Sequence, residues 1–156
     1  MTTQNLTRQD LEEESKYLAD LVFKNLRYQQ LWTKLETHKI TLPIPDSSSS
    51  SSKESFYHFT IVSGTPPEKL HHDDPTFTET QQQYTEWVLP SVTEQKWSIR
   101  EWVQVFNQVE LLAQNLSNES LSVLPSVRRM VMACQTNDGT VVYYMINKGI
   151  VPPKRN

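Results

Sequence analysis

Two runs of β-branched and aromatic residues, Val127 to Thr136 and Thr140 to Lys148, flank Asn137-Asp138-Gly139. An Asp-Gly pair between such runs is a strong local signal for a β-hairpin, because glycine accepts the positive φ that a tight turn requires. The chain has only three glycines, and one of them stands at this turn. The last run, Val141 to Ile146 (VVYYMI), is apolar at every position. A strand with one wet face alternates instead. The last strand therefore either lies inside a sheet or has its second face covered by another chain.

The rest of the chain supplies helices and strands to go with this hairpin. Thr7 and Asp10 have capping-box spacing, and Leu11, Leu18, Leu21, Val22, Leu26, Leu31, Trp32 and Leu35 recur at intervals of three, four and seven. With no Gly or Pro before residue 43, the pattern predicts a long N-terminal helix over residues 8–37, in one piece or two. HKITLPI (38–44) reads as a short edge strand limited by Pro43. The serine run Ser47 to Ser52 predicts a flexible loop near 45–54. Phe56, Tyr57, Phe59, Ile61 and Val62 predict a strand that stops at Gly64 and the Pro66-Pro67 pair, and residues 65–83 a second loop. Tyr84 to Val92 reads as a strand whose end Pro90 weakens. Ser98 and Glu101 open a second helix, to about Asn115, with the apolar stripe Ile99, Trp102, Val103, Phe106, Val109 and Leu112 or Ala113. Ser117 to Ser122 reads as a connector to the hairpin.

Composition narrows the function classes. The 156 residues are 37% hydrophobic and 21% charged, which fits a single domain over 1–156 with a real core. No apolar stretch approaches the ~20 residues that span a bilayer, and the polar, acidic start is unlike a signal or transit peptide. The one cysteine, Cys134, lies in an apolar run and reads as a buried filler in a reducing compartment. A net charge of -3 argues against a chain that wraps nucleic acid by itself. Residues 127–156 nevertheless hold five cations against one carboxylate, so Arg128, Arg129, Lys154 and Arg155 are candidate phosphate contacts, two of them in a basic tail over 148–156. His71, His72, Asp73 and Asp74 are adjacent on a loop without a second cluster at zinc spacing, and no metal site is expected. Neither a P-loop, a dinucleotide fingerprint, a nucleophile elbow nor an HExxH motif occurs. Glu12-Glu13-Glu14 reads as a solvated helix face.

Three segments carry a family resemblance. SVRRMVMACQTNDGTVVYYMI (126–146) resembles the terminal hairpin of the tRNA-intron endonuclease family: a basic pair, an apolar strand, an acidic turn with Gly, and a strand containing Val-Tyr-Tyr. KGIVPPKRN (148–156) and KNLRYQQLWTKLE (24–36) are similar to the smallest, non-catalytic fungal subunit of that family. The resemblance implies an α/β (α+β) domain with a small mixed sheet flanked by helices. It also implies a pairing edge at Val141, Val142, Tyr143, Tyr144, Met145 and Ile146, which joins a catalytic subunit as a heterodimer. Two heterodimers then form a heterotetramer through acidic turn loops, of which only Asp138 is acidic here. An isolated chain is expected to self-pair through the same strand. The implied compartment is the nucleus or the cytosolic face of the mitochondrial outer membrane.

Catalysis in this family is metal-free and needs no cofactor. A 2'-hydroxyl attacks phosphorus, leaving a cyclic phosphate, and a Tyr, a His and a Lys do the work. The His element that catalytic members carry ahead of the second helix does not occur at that place here. Arg128-Arg129 stand where the Lys is expected, and a guanidinium holds phosphate but does not readily shuttle a proton. The resemblance therefore implies a structural subunit, with pre-tRNA as an indirect partner. An accessory module touching pre-tRNA through the basic C-terminal end is the alternative.

Overall fold

The computed structural model describes residues 7–44, 55–67, 85–116 and 129–148. The serine run, the loop with His71, His72, Asp73 and Asp74, the connector 117–122, Arg128, Lys154 and Arg155 lie outside them. The elements are α1 (Arg8–Tyr28), β1 (Thr33–Pro43), β2 (Phe56–Thr65), β3 (Glu86–Val92), α2 (Ile99–Leu116), β4 (Arg129–Gln135) and β5 (Val141–Asn147). One five-stranded sheet runs in the order β1-β2-β3-β4-β5. Its pairings are antiparallel except β3 with β4, which are parallel and joined through α2. Parallel neighbours need a crossover of this kind, and a helix supplies it. The expected α+β class with a mixed sheet is the architecture observed.

Both capping boxes form. Thr7 accepts from the Asp10 N–H at 3.2 Å while Asp10 accepts from the Thr7 N–H at 3.1 Å. Ser98 and Glu101 repeat the exchange at 3.1 and 3.2 Å. The N-terminal helix, however, stops at Tyr28 and does not run to residue 37. Leu31 adopts φ 59°, the Trp32 N–H reaches back to the Leu26 carbonyl at 2.9 Å, and β1 begins at Thr33. Leu31, Trp32 and Leu35 continue the helical spacing by coincidence. Trp32 is buried because the reversed chain lays it beside Val22 and Leu26, not because the helix continues.

The edge strand is longer than HKITLPI, with 11 residues, and ends at Pro43 as expected. β2 runs through Gly64 to Thr65 and stops before the Pro66-Pro67 pair, as expected. A Cβ at Gly64 would come within 2.6 Å of Leu35 and 3.1 Å of Trp32, so this glycine admits close packing between the strands. Pro90 is fully buried within β3. The β2–β3 register covers only Glu86 to Val88, so the missing N–H of Pro90 falls beyond that pairing.

The core lies on both faces of the sheet. One cluster joins Val105, Phe106 and Val109 of α2 to Ile40, Leu42, Phe59, Leu89 and Met130. The other joins Ala19, Val22 and Leu26 of α1 to Val62, Val88, Val131 and Ala133. The predicted α2 stripe is rotated: Val105 is buried, whereas Ile99 and Val103 are 64% and 53% exposed. Glu12 also departs from the solvated-face reading. It accepts from the His58 N–H at 3.1 Å, and Ser15 accepts from the Thr60 N–H at 2.7 Å. Those two side chains occupy β2 donors over the stretch that β3 does not pair. Hydrogen bonding by His58 and Arg8 holds the Glu12 carboxyl below its usual range.

Candidate functional site

A β-sheet has two edges, and each presents unpaired N–H and C=O groups that a second chain can use. In this protein the edges are β1 and β5. The β4–β5 turn closes as the Asn-Asp-Gly signal requires. Gly139 takes φ +88°, its N–H donates to the Thr136 carbonyl at 3.0 Å, and the Thr136 N–H donates to the Thr140 carbonyl at 2.8 Å. Asp138 braces the turn, accepting from the Thr140 N–H at 3.2 Å and from the Thr136 hydroxyl. These bonds hold its carboxyl below the usual range, the Thr136 hydroxyl contributing most. Asp138 is exposed at the tip of the hairpin.

Counting along the ladder from the bonded Thr136/Thr140 pair, Val142, Tyr144 and Ile146 point their backbone groups at β4. Those of Val141, Tyr143 and Met145 face outward. Among side chains the assignment alternates in the other sense. Val141 and Tyr143 pack on the α1 side of the sheet, and Ile146 packs on the α2 side. The Tyr143 hydroxyl donates to Asn25 of α1, and Lys148 pairs with Glu110 of α2. Burial raises the Tyr143 phenol to about 12, so it stays a neutral donor. The strand is thus fixed on both faces, while Tyr144 and Met145 remain 52% and 39% exposed on opposite faces. β5 is an edge strand, which removes the first of the two readings of its apolar sequence.

The other edge is blunted. Gln108 of α2 accepts from the Thr41 N–H at 2.8 Å and donates to the Thr41 carbonyl at 2.7 Å, as a neighbouring strand would. Lys34 has φ 54°, the β1–β2 register shifts between Thr33 and Glu36, and Pro43 ends the strand. Bulges, charges and proline at an edge are devices against unwanted pairing. Nothing in the sequence marks Gln108 for this role, since one amide on a helix means nothing until the register is known.

The other candidate residues that are described do not gather into a common site. Arg129 pairs with Glu86 at 2.8 Å, and Glu86 is 4% exposed, so this guanidinium neutralises a buried carboxylate. Of the four candidate phosphate contacts, Arg129 alone lies among the described residues. Cys134 is buried and reduced, with its thiol pKa raised by burial. His38 shares a 2.8 Å hydrogen bond with Ser63 and lies with its ring centroid 5.0 Å from that of Trp87. The Glu36 carboxylate is 4.0 Å from the same Nε2 atom. A Ser-His-acid relay needs the acid on the other ring nitrogen, so this is not one. Burial lowers the His38 pKa and favours the neutral ring. Among the described residues no three His, Cys, Asp or Glu side chains gather into a metal site, and no helix is long and apolar enough to cross a membrane.

The chain is 29% identical over 140 residues to the tRNA-splicing endonuclease subunit SEN15 of Eremothecium gossypii, covering 89% of this chain and 91% of that protein. It is 25% identical over 169 residues to the probable tRNA-splicing endonuclease subunit tsp-1 of Neurospora crassa, covering 93% of this chain and 68% of that one. The family model described as Sen15 protein matches residues 21–156, from the middle of α1 through the hairpin and beyond. The chain belongs to the Sen15 family.

Proposed function

We propose that this chain is a non-catalytic structural subunit of a tRNA-splicing endonuclease, joined to a catalytic subunit by addition of a strand to β5. The complex removes introns from pre-tRNA, and this subunit holds the catalytic chain in shape within a heterotetramer. The observation that carries the reading is the open, apolar edge of β5, with Tyr144 and Met145 exposed on its two faces. The names of the two fungal relatives supply the complex. The neutral, serine-bonded His38 and the Glu86-bound Arg129 support a structural role over an acid–base one. Asp138 at the hairpin tip is the acidic contact left for a second heterodimer.

The experiment is co-expression with the catalytic subunit, comparing the wild-type chain with Tyr144→Asp. Tyr144 is half-exposed, so the isolated fold tolerates the charge, whereas Ile146 packs into this chain's own core and is the poorer choice. A charge buried in an interface of ~1,600 Å² weakens it by about 3 kcal/mol or more. Co-purification should be lost while the circular dichroism of the free chain is unchanged. Recovery of the partner at wild-type yield contradicts the proposal.

A further inference from the structure

The corner where α1 ends and β1 begins lies next to the Asn25 anchor of Tyr143 but adds no residue to the pairing edge of β5, and it is built unlike the rest of the surface. Tyr28 and Leu31 are 70% and 65% exposed there. Leu31 and Lys34 are the two non-glycine residues with positive φ among the described residues. Strained backbone of this kind persists where the surroundings demand it and gathers at functional sites. Beside it lies a hollow of about 290 Å³, lined by Phe23, Arg27, Trp32, Thr33, Lys34 and Leu35. Its walls are aromatic and aliphatic, and it carries two cations.

The Arg27 guanidinium sits 5.6 Å from the centre of the Tyr28 ring, a stacked cation–aromatic pair facing solvent. Lys24, also exposed, lies one turn before Tyr28. None of Lys24, Arg27 or Lys34 is ion-paired with a described residue. Exposed cations without an ion pair among the described residues stand out in a chain of net charge -3. Flat aromatic surfaces beside guanidinium and ammonium groups suit unpaired nucleotides, whose bases stack and whose phosphates need cations.

We propose that this corner binds unpaired RNA, with a base stacked against Tyr28 and the adjoining phosphate held by Arg27 and Lys34; the choice of RNA rests on the proposed place in a tRNA-splicing endonuclease. The site is independent of the β5 edge and of the basic C-terminal end. It makes this subunit a direct contact for a single-stranded stretch of its substrate.

The test uses the full chain and a fluorescein-labelled single-stranded oligouridylate, with anisotropy measured over a salt series. Wild-type binding should fall steeply with salt. Arg27→Ala and Lys34→Asn should each weaken binding about tenfold and lower the salt slope by about one; asparagine is chosen because it tolerates positive φ. Tyr28→Ala should weaken binding about tenfold with the slope unchanged, and Tyr28→Phe should restore it. Tyr144→Asp should bind as wild type does, which separates this site from the pairing edge. Absence of salt-dependent binding, or wild-type affinity in the three corner variants, overturns the proposal. So does equal competition by duplex RNA. Binding to phosphatidylserine vesicles that these variants abolish, with RNA binding untouched, assigns the corner to a membrane surface and equally overturns it.

Discussion

The two edges of the sheet are treated in opposite ways. β1 is long, and its pairing potential is reduced by the Gln108 fork on Thr41, the irregular register at Thr33/Glu36 and the terminal Pro43. β5 is short and regular, with an unbroken register against β4 and none of these devices. Its side chains are tied to both helices, yet no described residue pairs with its outward backbone groups, and its exposed large hydrophobics are a tyrosine and a methionine. A domain that avoided all pairing would protect both edges. Protection of one alone is what the proposed docking of a partner at the other requires.

The largest expected effect comes from turning the open edge into a closed one. Met145 points its N–H outward, so Met145→Pro removes a donor needed by an added strand and none used by β4. Association with the catalytic subunit, measured by calorimetry, should weaken at least about 100-fold, near 3 kcal/mol, with a much smaller change in melting of the free chain. An unaltered affinity means that the partner does not add a strand here.

Next in size is the bond that ties the hairpin into the sheet. Arg129→Ala strips the buried Glu86 carboxylate of its 2.8 Å guanidinium partner. The expected loss in denaturant unfolding is about 3 kcal/mol, with amide exchange accelerated in β4 and β5. A loss within a few tenths of a kcal/mol would show that Glu86 is neutralised in another way. The smallest effect is expected at the protected edge. Gln108→Ala exposes the Thr41 backbone groups to water and removes three hydrogen bonds to Thr41, for about 1 kcal/mol of stability. It should also introduce concentration-dependent self-association, visible by sedimentation velocity. A variant that stays monomeric argues that the bulge and Pro43 suffice to block β1.

How much of this could be read from residues alone follows from how local each cause is. The hairpin was legible because Gly139, Asp138 and the flanking β-branched runs act within a few residues of one another. Both helix starts were legible for the same reason, through Thr7/Asp10 and Ser98/Glu101. The end of α1 was not. Leu31, Trp32 and Leu35 keep a helical spacing, and the positive φ of Leu31 and the packing of Trp32 and Leu35 against Gly64 show that the chain has already turned. Ile99 and Val103 looked like core because periodicity fixes a stripe but not which of its flanks meets the sheet. Gln108 with Thr41 and Arg129 with Glu86 are 67 and 43 residues apart, and such pairs become visible only with the register. The apolar character of β5 pointed to covered faces, and α1 and α2 supply part of that cover through Tyr143 and Ile146 while Tyr144 and Met145 stay exposed.

Amide hydrogen exchange on the full chain, free and bound to the catalytic subunit, tests the central claim most directly. The expected result is strong new protection at the outward amides of Val141, Tyr143 and Met145, with β1 exchanging as before. Protection that appears along Thr33 to Pro43 and leaves β5 unchanged would contradict it.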